Sequence, residues 1–329
     1  MKKIIGLFFL VVFSLFPLIQ SVAAVTDQDY SSWLKDFKQE ALRHGIQSST
    51  LDSALAGVKP LDWIIKLDRA QPEFTKTLDQ YLAGTVTKQR ISRGENLLTE
   101  NSVLLARIAK KYQVQPRFLL ALWGIETSFG RHTGKVPVVD ALVTLAYDGR
   151  RSRYFRAELL TALKIIDQGL MTSVQMKGSW AGAMGQVQFM PSTFLNFAVD
   201  GNHDGRIDLW NSREDYLSSA ANYLSSSGWD RKYIWGREVV LTKKNAENDF
   251  GLKQQRLLQD WQKLGVRTIG LQPLPKVDIK ASLIQLDDPQ GKTFLVYDNY
   301  RVLLKWNRSH RFAIAVGTLA DKVGNRESE

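Results

Sequence analysis

Between residues 30 and 112 the apolar residues recur three and four positions apart, the spacing that lines one face of a helix. "YSSWLKDFKQEALRHG" keeps this period to a stop at Gly45, "SSTLDSALAG" opens on cap-forming serines, and "LLTENSVLLARIAKKY" carries the period on to Tyr112. Pro60, Pro72 and Gly84 cut the stretch into separate helices. Further along, "PRFLLALWGIETSF" predicts a short helix from Pro116 to a break at Gly130, and "FRAELLTALKIIDQG" and "EDYLSSAANYLSSSG" predict two more. After Trp235 the pattern shortens. "REVVLTK", "ASLIQLDD", "KTFLVYD" and "RVLLKW" are brief apolar or alternating runs, with "DDPQGK" as a turn, so a small β-rich portion is expected there, holding one helix in "KQQRLLQDWQKLG". "SHRFAIAVGTLADKVG" returns to helix and is expected to pack back on the helical body.

These patterns predict a mainly α chain of the α+β class: a leader at 1–24, a helical portion at 25–112, a compact helical unit at 113–235, a β-rich portion at 236–305 and a closing segment at 306–329. The leader follows from Lys2 and Lys3, the apolar run "IIGLFFLVVFSLFPLI" and the small residues "QSVAA", the charge, core and processing pattern of a secretory signal. Cleavage is expected after Ala24, with Ala23 as the alternative; Pro17 and the shortness of the run weigh against an uncleaved anchor. No second stretch is long enough to span a bilayer.

At 329 residues, 44% apolar and 23% charged, the chain has the composition of a folded globular protein with room for about two domains. It contains no cysteine, which excludes disulfides, thiolate nucleophiles, cysteine-held zinc and lipid attachment through cysteine. His44, His132, His203 and His310 lie far apart, which argues against a zinc hydrolase. Loss of Lys2 and Lys3 lowers the formal charge from +11 to +9, which suits an anionic cell-envelope polymer or membrane surface better than nucleic acid.

Three segments carry candidate chemistry. Glu126 follows "LLALWGI" near a helix end, and burial against Trp123 or Phe129 would favour its protonated form, as a general acid requires; a core glutamate paired with an arginine is the competing reading. "KGSWAGAMGQVQFMPSTF" joins Gly178, Gly182 and Gly185 to Ser179, Gln186 and Gln188, giving close backbone approach and neutral hydrogen bonds suited to sugar hydroxyl and N-acetyl groups. "DGNHDGRIDLW" places Asp200, Asn202 and Asp204 at positions 1, 3 and 5 of a calcium loop, Gly205 at the sharp turn, the Arg206 carbonyl at 7 and Asp208 at 9. Position 12 is Asn211 rather than glutamate, so the closing carboxylate has to be Glu214 or Asp215 in a longer loop; against this, Ser212 and Asp215 also match a helix capping box.

"ALWGIETSFG", "VVDALVTLAYDGRRSRYF", "KGSWAGAMGQVQFMPS", "DGNHDGRIDLWNSREDYLSSAANYL" and "WNRSHRFAIAVGTLAD", in this order, make nearly the whole mature chain resemble the lytic murein transglycosylase B family in its soluble periplasmic form. The resemblance implies a lysozyme-like helical catalytic core with an additional helical portion and a small β-rich portion. It implies murein glycan strands as substrate, Glu126 as the single catalytic acid/base, and no cofactor for the chemistry. By motif position, Arg150 and Arg151 correspond to a basic pair beside the saccharide, Ser179 and Gln188 to polar groove residues, and Asn307 to a polar residue of the cleft. A structural calcium ion maps onto Asp200, Asn202, Asp204 and Arg206, with Asp215 as the better match for the last carboxylate. Trp306 and Phe312 stand where the family commonly has tyrosines, so a phenolic hydrogen bond is expected to be missing or altered while a sugar-stacking surface remains. Proteins of cell-wall synthesis or remodelling are candidate partners.

The implied reaction cleaves the β-1,4 bond between N-acetylmuramic acid and N-acetylglucosamine and leaves a 1,6-anhydromuramic end. Ser179 or Asn307 would hold the N-acetyl group and Trp123, Phe189 or Trp306 would wall the sugar. A lysozyme-like hydrolase is the enzymatic alternative and needs a second carboxylate, such as Asp140 or Asp148, across from Glu126. A non-catalytic murein-binding scaffold is the other.

Overall fold

The computed structural model describes residues 27–70, 76–243, 249–286 and 291–324; the expected leader at 1–24, the break at Pro72 and residues 287–290 of the expected turn lie outside the described residues. Six helices open the described chain: α1 (Asp27–Arg43), α2 (Ser48–Ala54), α3 (Asp62–Ala70), α4 (Leu78–Thr85), α5 (Lys88–Glu100) and α6 (Ser102–Tyr112). Thr77 and Thr87 cap α4 and α5 through their hydroxyls, Thr77 in a reciprocal capping box with Gln80. The serines of "SSTLDSALAG" do not cap α2; they stand inside it, after Gln47. The single apolar period read from Leu97 to Tyr112 is divided at Asn101. The Asn101 side chain donates to the Leu97 carbonyl at 2.8 Å and accepts from Arg213 at 2.7 Å, which ends one helix and begins the next without changing the apolar face.

α7 (Pro116–Thr127) is the helix around which the others gather. Pro116 at its first position fits a turn whose N–H needs no partner, and every residue from Arg117 to Gly124 is buried. A helix apolar on all sides belongs at the centre of a core. α5, α6 and, from the far end of the chain, α14 (His310–Val323) pack against it, as does α11 (Arg213–Ser226); between α7 and α11 the chain forms the two-residue strand β1 (Val136–Pro137), α8 (Val138–Tyr147), α9 (Ser152–Asp167), the strand β2 (Lys177–Gly178) and α10 (Pro191–Phe197). β1 and β2 pair antiparallel, Val136 opposite Gly178.

The β-rich part consists of β3 (Gly236–Leu241), β4 (Arg256–Leu257), α12 (Leu258–Lys263), β5 (Val266–Thr268), β6 (Lys280–Gln285) and β7 (Thr293–Val296), in an antiparallel sheet of order β4-β6-β7-β3-β5. Alternation sends the two faces to different cores. Ile284, Phe294 and Val296 join the large helical core, while Ala281, Leu283, Leu295 and Val239 enclose Trp261 in a second one. Only Leu258–Lys263 of "KQQRLLQDWQKLG" is helical, because Arg256 and Leu257 pair with Ala281 and Lys280. "RVLLKW" is not a strand. It is the last two-thirds of α13 (Asp298–Trp306), which starts on an acidic residue, ends on Lys305 and Trp306, and buries Asn299, Tyr300, Val302 and Leu303 on one side. α14 (His310–Val323), capped by Ser309, then returns into the helical body against α7.

Candidate active site

α7 ends in three successive left-handed residues, Ser128, Phe129 and Gly130, with φ of 52°, 58° and 86°. Ser128 N–H closes on the Gly124 carbonyl at 3.1 Å and Phe129 N–H on that of Trp123 at 3.3 Å, so the chain turns sharply away and leaves the last turn, with Glu126, at the edge of the body. Gly130 is required for a second reason: a Cβ there would stand 2.3 Å from the Gln186 side-chain oxygen. Thr127 Oγ1 locks the turn by donating to the Gln186 carbonyl at 2.8 Å.

Glu126 is half-buried and its Oε1 accepts a hydrogen bond from Trp306 Nε1 at 2.7 Å, across 180 positions of sequence. Trp306 is held in turn. Its ring meets Tyr223 edge-on at 4.8 Å and Phe189 at 5.4 Å, and Phe197 closes on Tyr223 at 4.7 Å. Tyr223 was not singled out in the sequence; its signal is a lone aromatic in the small-residue run "SSAANYLSSSG" of α11. Burial pushes its hydroxyl above the ordinary tyrosine range, with a bond to Ser227 opposing. The missing phenol at position 306 is therefore answered by an indole N–H aimed at the carboxylate. Asn307, exposed, follows directly and accepts from Ser309 N–H at 3.0 Å.

The segment 177–190 lies against this turn. Phe189, though buried, packs beside Trp306, which brings Gln188 to the same place. Gln188 has a positive φ of 51° and donates to the Thr133 and Gly185 carbonyls at 3.1 and 3.0 Å. Ser179 Oγ accepts from Ala183 N–H at 3.1 Å and stays partly exposed. Gln186 is wholly structural: it accepts from Trp123 Nε1 at 2.7 Å and donates to the Trp210 carbonyl at 2.8 Å. Trp123 is only 3% exposed, so it supports the turn and offers no sugar wall.

Two expectations change. Phe312 is 4% exposed and lies in the main core, so its ring is packing and not a stacking face. Arg150 and Arg151 both bind Asp68 of α3, a carboxylate 1% exposed: Arg150 Nη1 at 3.1 Å on Oδ2, and Arg151 Nη2 on Oδ1. Sequence could not reveal that partner, 82 positions away. Their outer faces still border an open hollow of about 640 Å³ with Arg153 and Tyr154. Partial burial pushes the Tyr154 hydroxyl up to about 12, with Glu158 adding to the rise and Arg151 and Arg308 opposing it.

Of the two carboxylates a hydrolase would call on, one is engaged elsewhere. Asp148 pairs with Arg69 at 2.7 Å. Asp140, its carboxyl held above the ordinary range by burial, stands near Tyr30 of α1, where burial and then Asp140 push the phenol up to about 12.

In the Asp200–Asp215 loop the carboxylates are directed at backbone N–H groups. Asp200 accepts from His203, Asp204 and Gly205, the last at φ 87° as the sharp turn requires. Asp215, fully buried, accepts from Gly201 and Asp208, both at 2.8 Å. Ser212 caps α11 through Asp215 N–H, so Asp215 serves the helix with its backbone and the loop with its side chain. Asn202 donates to Asp204 at 3.1 Å and Arg206 N–H to Asp204 at 2.9 Å. The donors are hard oxygens of the kind calcium takes; Asp200 Oδ1 and Asp215 Oδ1 each already accept from two backbone N–H groups, while Asp200 Oδ2 and Asp215 Oδ2 accept from one. Among the described residues, however, no group of three or more histidine or acidic side chains converges to hold a metal.

Residues 29–321 match the family model described as "Transglycosylase SLT domain". The chain is 30% identical over 294 residues to the membrane-bound lytic murein transglycosylase B of Escherichia coli (strain K12), covering 85% of this chain and 79% of that one. It is similar to SltB3 from Pseudomonas aeruginosa, solved in complex with NAG-anhNAM-pentapeptide, with a TM-score of 0.85, 40% identity and coverage of 90% of this chain and 80% of that one. It is also similar to the lytic transglycosylase Slt35 of Escherichia coli in complex with calcium, with a TM-score of 0.75, 29% identity and coverage of 91% and 93%.

Proposed function

The chain belongs to the transglycosylase SLT domain family and is a peptidoglycan lytic transglycosylase with a lysozyme-like fold, and on that premise we propose that Glu126 is its only acid/base, oriented by Trp306. The observation that carries this reading is the 2.7 Å bond between the Trp306 indole and the Glu126 carboxylate, with the indole held from behind by the buried rings of Phe189 and Tyr223.

The reaction then needs one carboxyl group used twice. Glu126 gives its proton to the glycosidic oxygen between N-acetylmuramic acid and N-acetylglucosamine, and the bond from C1 to that oxygen breaks. The N-acetyl oxygen of the muramic residue attacks C1 and holds it as an oxazolinium ion. The C6 hydroxyl displaces that oxygen from C1, and Glu126, now a carboxylate, takes the hydroxyl proton. The products are a free 4-hydroxyl on N-acetylglucosamine and a 1,6-anhydromuramic end, with no water consumed. Trp306 serves as the donor that fixes the carboxylate and as the apolar wall of the reacting ring, while Asn307, Ser179 and Gln188 offer polar groups along the groove. The commitment of Asp148 to Arg69 favours this route over a hydrolase that uses it as a second carboxylate.

Export to the periplasm belongs to the same reading: the substrate is a wall polymer, the N-terminal pattern is that of a secretory signal, and no helix among the described residues is long and apolar enough to cross a membrane. Calcium enters as a structural ion of the Asp200–Asp215 loop, supported by the spacing of Asp200, Asn202, Asp204 and the Arg206 carbonyl, and it takes no part in any step.

Glu126→Gln tests the assignment. The amide keeps the shape but cannot exchange the proton, so turnover on purified murein is expected to fall roughly 10²- to 10⁴-fold with the melting temperature preserved. Turnover within about twofold of the parent would remove Glu126 from the chemistry.

A further inference from the structure

Between β5 and β6 the chain runs out as a finger, residues 269–279, that takes no part in the site around Glu126. Its tip is tied into a turn: Thr268 N–H donates to the Gln272 carbonyl at 3.1 Å, Leu271 N–H to that of Thr268 at 2.9 Å, and Gln272 N–H to Thr268 Oγ1 at 3.1 Å. Its root is Leu274, buried in the second core, whose N–H donates to the Gln262 side chain of α12 at 2.7 Å. The other apolar side chains are left to solvent. Ile269 and Val277 are half exposed, Leu271 is 64% exposed, and Ile269 and Val277 border one hollow with the exposed ring of Tyr233. Leu271 has φ 61°, in the left-handed region that asparagine and glycine enter at less cost than leucine. The turn therefore holds an apolar side chain outward where its own backbone favours a polar one. Exposed apolar groups clustered in this way mark a contact surface.

The charge around the finger says what it meets. Lys276 and Lys280 are exposed along it, and Lys232 and Lys322 are exposed on the lining of the same hollow; none of the four is held in an ion pair among the described residues. Asp278 is the one acid of residues 265–280, and Asp230 stands beside Lys232. Glu238 and Asp321 on the hollow face cations of their own, Lys292 at 4.0 Å and Arg117 at 2.7 Å. The surplus is positive. The backbone has little left to offer a pairing strand: Pro273 and Pro275 carry no N–H, and those of Leu271, Gln272, Leu274 and Val277 are bonded within the protein. The same economy suits a lipid interface, where each unmet donor is costly.

We propose that this finger attaches the protein to the surface of a bilayer containing anionic phospholipid. Ile269, Leu271 and Val277 enter the boundary between headgroups and acyl chains, and the four lysines meet the headgroup phosphates. Because the finger is rooted in the second core, attachment engages no residue of the Glu126 site.

Flotation of the mature chain with vesicles of mixed phosphatidylcholine and phosphatidylglycerol, and of phosphatidylcholine alone, tests this. Binding to the mixed vesicles is expected to be at least about tenfold tighter than to phosphatidylcholine and to weaken as salt is raised. Leu271→Asn suits the left-handed backbone, so the melting temperature should hold while binding falls about tenfold. Lys276→Gln should weaken it about threefold to fivefold. The chain has no cysteine, so Leu271→Cys can carry a polarity-sensitive dye alone; its emission should move to the blue on the mixed vesicles, while the same dye on Val103→Cys, at an 86% exposed site of α6, should not respond. No flotation with the mixed vesicles at low salt would overturn the proposal and leave the finger to a protein partner. Flotation untouched by Leu271→Asn, or an equal dye response at Val103, would show attachment through general positive charge and overturn it too.

Discussion

Replacing Arg150 and Arg151 together by alanine separates a structural role from a substrate role. Their guanidinium groups neutralise Asp68, which is 1% exposed, and Arg151 also covers the Phe155 ring at 4.9 Å. Removing both cations strands a buried carboxylate, a loss of about 3–5 kcal/mol for a fully buried pair. The arginine side chains are 43% and 40% exposed, so water screens part of the attraction, and about 2–3 kcal/mol is the better figure. Over roughly 300 residues the unfolding entropy is about 0.6 kcal/mol per degree, so the melting temperature should fall by about 3–5 °C. Asp68→Ala alone should cost less, because it leaves two solvated arginines in place of a buried charge, and adding it to the double variant should recover stability. Thermal melts of the three variants, with KM on purified murein at low and high salt, make the assay. A melting temperature unchanged by the double replacement, together with a raised and salt-sensitive KM, would refute the reasoning and return the pair to the saccharide.

Trp306→Phe keeps the contacts with Phe189 and Tyr223 but removes the donor to Glu126; since hydrogen bonds to charged groups contribute about 1.5–3 kcal/mol, kcat/KM should drop about tenfold to a hundredfold. Trp306→Tyr, which restores an X–H donor, should recover more activity than Phe, and equal activities of all three proteins would discard the contact. For the calcium loop, chelation with EDTA should lower the melting temperature and added calcium restore it, while Asp204→Ala abolishes the difference without changing the type of product. Identical melts with and without calcium, and no bound metal by elemental analysis, would leave the loop as a hydrogen-bonded turn.

Periodicity made α7, α9, α11 and α14 legible, because each buries a continuous apolar face that local spacing records. It failed where a side chain overrides the period, as Asn101 does between α5 and α6, and where a run is cut from its context, as "RVLLKW" is from Asp298. Glu126 was legible because its helix end is marked by Gly130. The tryptophan bonded to it, 180 positions on, was legible as a position and not as a contact. Phe312 was misplaced, and the ion pairs of Arg150 and Arg151 with Asp68 were not legible, for one reason: motif order says which residues share a neighbourhood, but only packing decides which are buried and which meet a buried partner. The calcium motif shows the same limit, since spacing places oxygen donors along the loop while hydrogen bonds decide where they point.

The central claim is that one carboxyl group, Glu126, closes the muramic C6 hydroxyl onto C1 without water. Digestion of murein in ¹⁸O-water, with mass analysis of the new sugar ends, reads this step directly. The predicted result is an anhydromuramic end, lighter than a hydrolysed end by one water and free of heavy oxygen. Predominantly ¹⁸O-labelled reducing ends would contradict the account and make the enzyme a hydrolase.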